Sequence, residues 1–270
     1  MKYDSVKNIF AKTVSKNTFL RKIFYMLLDL MFLRSWHVRR EIKSLLNKDD
    51  NVCIYDAGMG FGQYDYFLAK YFKNCKILGV DVKEEQVNDC NYFFGKCGFE
   101  NVFFKTENLL EIEYENKFDF ILSVDVMEHI HEDQIVLNNF YKALKNSGKI
   151  LINTPSDMGG SDTHSHEDES FIEEHARNGY SKEEITAKLK KAGFNNIKVK
   201  YTYGKFGSLS WKLGIKYPIL IVGKSKLFVL LLPFYYLFTL IPVLFLMCLD
   251  VSTVNEKGTG ILVMAEKISG

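Results

Sequence analysis

Short apolar runs alternate with stretches of helical spacing along most of this chain, and that alternation predicts an α/β protein. Residues 52–56, 76–81, 101–105, 118–124 and 148–154 are continuous apolar runs with β-branched and aromatic side chains, as strands buried on both faces require. Residues 62–73, 84–95 and 132–146 instead place apolar side chains every three or four positions, as covering helices do. A helix is also predicted over 36–47, and one begins near Asp125. Strands and helices in alternation give a parallel, doubly wound sheet with short connections. Further on, Ser181 followed by Glu184 is a capping signature, and Gly193 ends the helix it starts. Residues 196–203 and 260–267 read as two more strands.

Two stretches break this rhythm. Phe19, Leu20, Ile23, Phe24, Leu27, Leu28, Met31 and Phe32 follow helical spacing, with Arg21, Lys22 and Arg34 at the edges, and make residues 1–34 a basic amphipathic arm. Residues 227–249 hold no charged side chain, inside an apolar insertion at 205–256. By length this run spans a bilayer. A single crossing, however, leaves the last strand on the wrong side of the membrane from its sheet. Pro233 and Pro242 cut the run into pieces too short to cross, so a bent helical hairpin lying in the membrane interface is expected. The alternatives are an apolar lid over the substrate or a dimer contact, which leaves an oligomer open.

Charge supports the membrane reading. Residues 1–48 carry eleven Lys/Arg against three acids, a net +8 in a chain whose total is +2. A basic, aromatic-rich segment suits an anionic surface, either phospholipid or nucleic acid, the alternative being that these charges only solvate helices. The five cysteines form no C-x-x-C pair and read as thiols of a reducing compartment. The stretch after the apolar residues 23–33 lacks the small residues of a signal cleavage site. The location expected is cytoplasmic, peripheral or monotopic on the inner membrane face.

The chemistry is concentrated after the first strand, in Asp56-Ala57-Gly58-Met59-Gly60-Phe61-Gly62. Alternate glycines let the backbone turn tightly against a nucleoside. The dinucleotide fingerprint G-x-G-x-x-G is excluded, because Gln63 stands where its third glycine belongs. Asp81 closes the second strand about 20 residues on, where a carboxylate accepts ribose hydroxyls. The third strand leads to Glu107-Asn108-Leu109-Leu110, the fourth opens FDFILSVDVMEHI at 118–130, and the fifth is GKILINTP at 148–155. Together these motifs resemble the class I S-adenosylmethionine-dependent methyltransferases, and the fourth-strand string is similar to ubiquinone-pathway O-methyltransferases.

That resemblance implies a seven-stranded Rossmann-like sheet, parallel but for an antiparallel last strand between the fifth and sixth, with helices on both faces. It implies S-adenosyl-L-methionine as cofactor. Carried across by residue, Asp56, Gly58, Gly60 and Gly62 surround the methionine and ribose, while Asp81 and Val82 border the ribose. Asn108 stands near adenine, where the family usually has Asp, and Asp125 and Val126 face the sulfonium or the acceptor. His129, His166 and His175 are the candidate bases, since imidazole titrates near neutral pH. His164, His166 and the acids 167–169 could also ligate a metal, although a solvated lid is the simpler reading and no metal is assigned. Arg177 could bind an acidic headgroup or decorate the surface. The fourth strand lacks the Asn/Asp-Pro-Pro-Tyr/Phe of many base and amide N-methyltransferases, which disfavours nucleic acid. The acceptor expected is an oxygen on a lipophilic small molecule. A non-catalytic cofactor-binding scaffold is the reading of another class.

Overall fold

The computed structural model describes residues 17–159 and 176–268. In chain order its elements begin with helices α1 (Thr18–Met31) and α2 (Leu33–Leu45). Then come β1 (Cys53–Ala57), α3 (Gln63–Tyr71), β2 (Lys76–Asp81), α4 (Glu84–Lys96), β3 (Val102–Thr106) and β4 (Phe118–Val124). A 3₁₀ turn (Met127–His129), α5 (Asp133–Ala143) and β5 (Leu144–Pro155) follow. After the segment 160–175 come α6 (Lys182–Ala192) and β6 (Asn195–Thr202). Next are α7 (Lys205–Trp211), a π-helical turn (Lys212–Lys216), α8 (Tyr217–Lys224), a 3₁₀ stretch (Lys226–Leu231), α9 (Leu232–Ser252) and β7 (Gly260–Glu266).

The strands form one seven-stranded sheet in the order β3-β2-β1-β4-β5-β7-β6, parallel except for the antiparallel β7. Ile54, Tyr55, Phe120, Ile121, Leu122, Ile150, Leu151 and Ile152 are fully buried, as continuous apolar runs must be when helices cover both faces. The order reverses between β1 and β4, whose carboxyl ends therefore border the crevice where open α/β sheets bind ligands.

The structure departs from the sequence reading in three places. The helix expected near Asp125 is a single 3₁₀ turn, preceded by Asp125 in the left-handed region (φ 54°). The helix expected to reach residue 146 ends at Ala143, because Leu144 already pairs with Phe118. A register shift between Phe118 and Phe120 accommodates the polar residues 145–148 that had read as a helix end. The expected helical hairpin is present, with α7 and the π-turn packed back on α9, but its bend lies at Ser225 and not at the prolines. Pro233 lies in the first turn of α9, where its missing N–H has no helical partner anyway, and Pro242 sits inside the helix without ending it. The stretch Leu227–Ser252 is long and apolar enough to cross a membrane by length and composition.

The chain divides into two compact units. One combines residues up to Arg39 with Lys200–Gly260, and the other holds Arg40–Val199 with Ile261–Gly270. In the first, Leu33, Val243 and Met247 form a core with Trp36, Tyr203 and Leu213. Gly207 is required there, since a Cβ would come within 2.6 Å of Leu33 Cδ2 and 2.7 Å of Asp250 Oδ2. The buried Asp250 carboxylate accepts from Gly207 N at 2.9 Å and meets His37 Nε2 at 2.8 Å, which fixes the end of α9. Tyr235 and Tyr236 hydroxyls donate to the Leu213 and Gly214 carbonyls at 2.6 and 2.7 Å, closing the π-turn onto α9.

Candidate active site

The sheet unit brings the glycine loop, Asp81 and the end of β4 to one edge. Gly58 and Met59 N–H both donate to Val80 O at 2.9 Å, folding the loop back over β2. Gly58, Gly60 and Gly62 all have positive φ (84°, 53° and 72°), which only glycine adopts without strain. Their surroundings differ. A Cβ on Gly58 would lie 2.3 Å from Val126 Cγ2, so Gly58 is the point where the loop touches the residue after β4. A Cβ on Gly60 would meet nothing within 4 Å. Gly60 N–H donates to Asp81 Oδ2 at 3.2 Å, and Lys83 N–H donates to Oδ1 at 2.9 Å. The carboxylate is thereby held beside the open side of the loop with a lone pair on each oxygen to spare. Val82, next in sequence, is 65 % exposed and supplies an apolar wall.

Asn108 follows β3 and Asp125 follows β4, at the same edge of the sheet. The Asn108 amide oxygen accepts from Leu110 N at 3.1 Å and its nitrogen donates to Glu111 Oε1 at 3.0 Å. The side chain is thus pre-oriented, with one oxygen lone pair left for a nucleobase amino group. Asp125 is locked by two bonds to Asn153, whose carbonyl accepts from Asp125 N at 2.9 Å and whose amide donates to Oδ1 at 3.2 Å. His129 is exposed at the end of the 3₁₀ turn. His166 and His175, like the acidic run at 167–169, lie outside the described residues. Arg177 has protein partners. It pairs with Asp133 at 2.9 Å and Glu184 at 3.1 Å, and donates to Ile130 O at 3.2 Å.

Among the buried carboxyls that escaped the sequence reading are Glu128 and Asp65. Glu128 is 2 % exposed and accepts from Thr154 Oγ1 at 3.0 Å, behind Asp125. Asp65 is fully buried in α3, and its place on the apolar face with Leu68 and Ala69 was the available signal. Asp56 pairs in register with Gly79, and a Cβ on Gly79 would stand 3.1 Å from Asp65 Oδ1, so Asp65 occupies room that Gly79 leaves. With both groups ionised, Asp56 Oδ2 and both Asp65 oxygens have no donor. A proton shared between them supplies one. Burial raises both carboxyls, and for Asp56 the Asp65 charge adds to it, with a smaller push from Asp81.

This dyad has a consequence for stability. The folded state holds a proton that the unfolded chain has released above the ordinary carboxylate range, so stability falls as pH rises through that window. Asp65→Asn removes one charge and supplies an amide donor to Asp56. It is expected to gain about 1–3 kcal/mol over wild type at pH 8, a gain that vanishes near pH 4. Urea titrations at both pH values check this, and a variant no more stable at pH 8 removes the shared proton.

The strand order and the glycine loop at the switch point, with Asp81 beside it, are those of a class I methyltransferase. A methyltransferase-domain family model matches residues 48–198, more than half of the chain, and the chain belongs to that family. It is 30 % identical over 116 residues to phosphoethanolamine N-methyltransferase 3 of Arabidopsis thaliana, covering 42 % of this chain and 23 % of that protein. It is likewise 30 % identical over 106 residues to (S)-coclaurine N-methyltransferase of Papaver somniferum, covering 38 % and 29 %. The chain therefore spans about a quarter of the length of these relatives. Its fold matches that of Haemonchus contortus phosphoethanolamine N-methyltransferase 2 in complex with S-adenosyl-L-methionine. That match has a TM-score of 0.64 and 19 % identity, and covers 96 % of this chain and 59 % of the other.

S-Adenosyl-L-methionine is the cofactor. The residues present fit it: the loop is open where Gly60 lacks a side chain, and an oriented carboxylate stands beside that opening. The ubiquinone-pathway resemblance gains no support from these relatives, which are N-methyltransferases.

Proposed function

We propose that this chain methylates an amine nitrogen on an amphiphilic small molecule. The observation that carries the donor half is the Gly60–Asp81 hydrogen bond beside an open loop at the sheet's switch point. S-Adenosyl-L-methionine supplies, when bound, a methyl group already activated by its sulfonium. The protein has to hold the ribose, align the acceptor, exclude water and take up a proton. Asp81 and Val82 serve the first task, and Asn108 presents an acceptor to the adenine amino group.

Electrostatics favours nitrogen over the oxygen expected from sequence. Asp125 and Glu128 place two carboxyls behind the end of β4, and such a wall attracts an ammonium and repels a phenolate. The names of the two relatives point the same way. An ammonium must lose its proton before its lone pair can attack, and exposed His129 is placed to pass that proton to water. An amphiphilic acceptor accords with the apolar helical unit. Incubation with isotopically labelled methyl donor and a panel of long-chain amines and phenols, resolved by mass, tests the reading. Label is expected on the amines. Label confined to phenols restores the oxygen acceptor, and a chain that binds donor but labels neither class favours the scaffold reading.

A further inference from the structure

Helix α1 is turned inside out. Arg21 and Tyr25 are its buried side chains, at 3 % and 1 % exposure, joined by an Arg21 Nε bond to the Tyr25 hydroxyl at 2.8 Å. Phe19 and Met26 are 67 % and 59 % exposed. A helix whose outer face met only water would show the reverse. The second apolar stretch does the same on a larger scale: Leu227, Leu230, Phe234, Leu237, Phe238 and Ile241 are each between 66 and 77 % exposed. From residue 205 to 249 the chain has five lysines (205, 212, 216, 224 and 226) and no acid. Trp211, 5.7 Å from Lys216 Nζ, and Tyr217 add aromatic side chains to that basic stretch. Exposed apolar surface with lysines and aromatic residues beside it is the composition of a membrane interface.

We propose that this helical unit docks on an anionic phospholipid bilayer and inserts residues 227–241 into one leaflet. The depth follows from packing. Val243, Met247 and Asp250 are buried against their own unit, whereas no side chain described from 227 to 241 is buried. This earlier stretch is open to lipid all round, while beyond it only one face of α9, with Phe245 62 % exposed, stays open. The five 3₁₀ and ten α-helical residues of 227–241 reach about 25 Å, short of a hydrocarbon core of about 30 Å. Strands β6 and β7, which flank the insertion in sequence, are neighbours in the sheet, so the chain must return to the side it left. The contact is therefore monotopic. A second copy of the chain would also cover the apolar side chains, but a two-fold contact brings the lysine-rich stretch against itself with no acid to offset it. Anionic lipid neutralises this stretch.

The inference holds whatever the methyl acceptor is, and its test reads a different property. The full chain is floated on a density gradient with phosphatidylcholine–phosphatidylglycerol vesicles, alongside the triple variant Leu230→Glu/Phe234→Glu/Phe238→Glu. Wild type is expected to float, with partitioning that weakens in high salt. The variant's partition coefficient is expected to fall at least about 100-fold. Its S-adenosyl-L-methionine affinity, which reports on the sheet unit, is expected to stay unchanged and shows that the variant is folded. A wild type that stays at the bottom, or a variant that floats equally well, overturns the proposal. So does a non-floating wild type that sediments as a dimer and becomes monomeric in the variant.

Discussion

A Gly60→Arg chain is expected to fold as wild type does and to bind S-adenosyl-L-methionine at least about 100-fold more weakly. The two halves of that expectation have separate causes. A Cβ at Gly60 meets no atom within 4 Å, so the fold loses only the strain of a non-glycine residue at φ 53°, about 1–2 kcal/mol. The same open space is where the proposed site puts the ribose and methionine parts of the donor, and a guanidinium fills it. Gly58→Val acts differently. Its side chain would drive into Val126, already 2.3 Å from the first added carbon, and the loop itself would move. Thermal melting separates the two variants, since donor loss with only the small drop in midpoint that this strain brings belongs to Gly60 alone. A Gly60→Arg chain that keeps wild-type affinity would place the donor elsewhere.

The second large effect lies in a buried ion cluster. Asp133, 2 % exposed, accepts from the Tyr180 hydroxyl at 2.6 Å and pairs with Arg177 at 2.9 Å and Lys188 at 2.8 Å. It ties α5 to α6 and to the chain that re-enters after residue 175, immediately behind the 3₁₀ turn that carries His129. Asp133→Ala removes the buried carboxylate that the two cations share, leaving them only the 40 % exposed Glu184, and is expected to cost about 2–4 kcal/mol in urea unfolding. Lys188→Ala should cost less, about 1 kcal/mol or under, because that side chain is 24 % exposed and solvent screens its charge. Burial and the neighbouring Asp133 raise the Tyr180 phenol, so it stays protonated and donating throughout the neutral range. Equal losses for the two variants would contradict the central place given to Asp133.

The sheet was legible because its signals are local. Apolar runs of strand length, glycines at 58, 60 and 62, and Asp81 at a strand end each depend on neighbours in sequence, and the structure puts them where the pattern implied. The bulged start of β5 was not, since Lys145 to Gly148 look like a helix end until Phe118 offers Leu144 a partner. Pro242 misled for a related reason. Proline opposes helix formation locally, yet the turns around it are apolar and packing at Val243 and Met247 carries α9 through. Asp65 and Glu128 were missed because an acid in an apolar stretch reads as exposed until tertiary structure buries it. The role of Arg177 stayed open for want of Asp133, 44 residues away in the sequence and in contact in space.

The account rests on Asp81 and the glycine loop clasping a sulfonium nucleoside. Calorimetric titration of the full chain with S-adenosyl-L-methionine, beside Asp81→Ala, tests this most directly. One saturable site is predicted for the wild type, with affinity at least about 30-fold lower once the charge-assisted ribose contact is gone. No heat of binding in the wild type, or an Asp81→Ala chain that binds equally well, would contradict it.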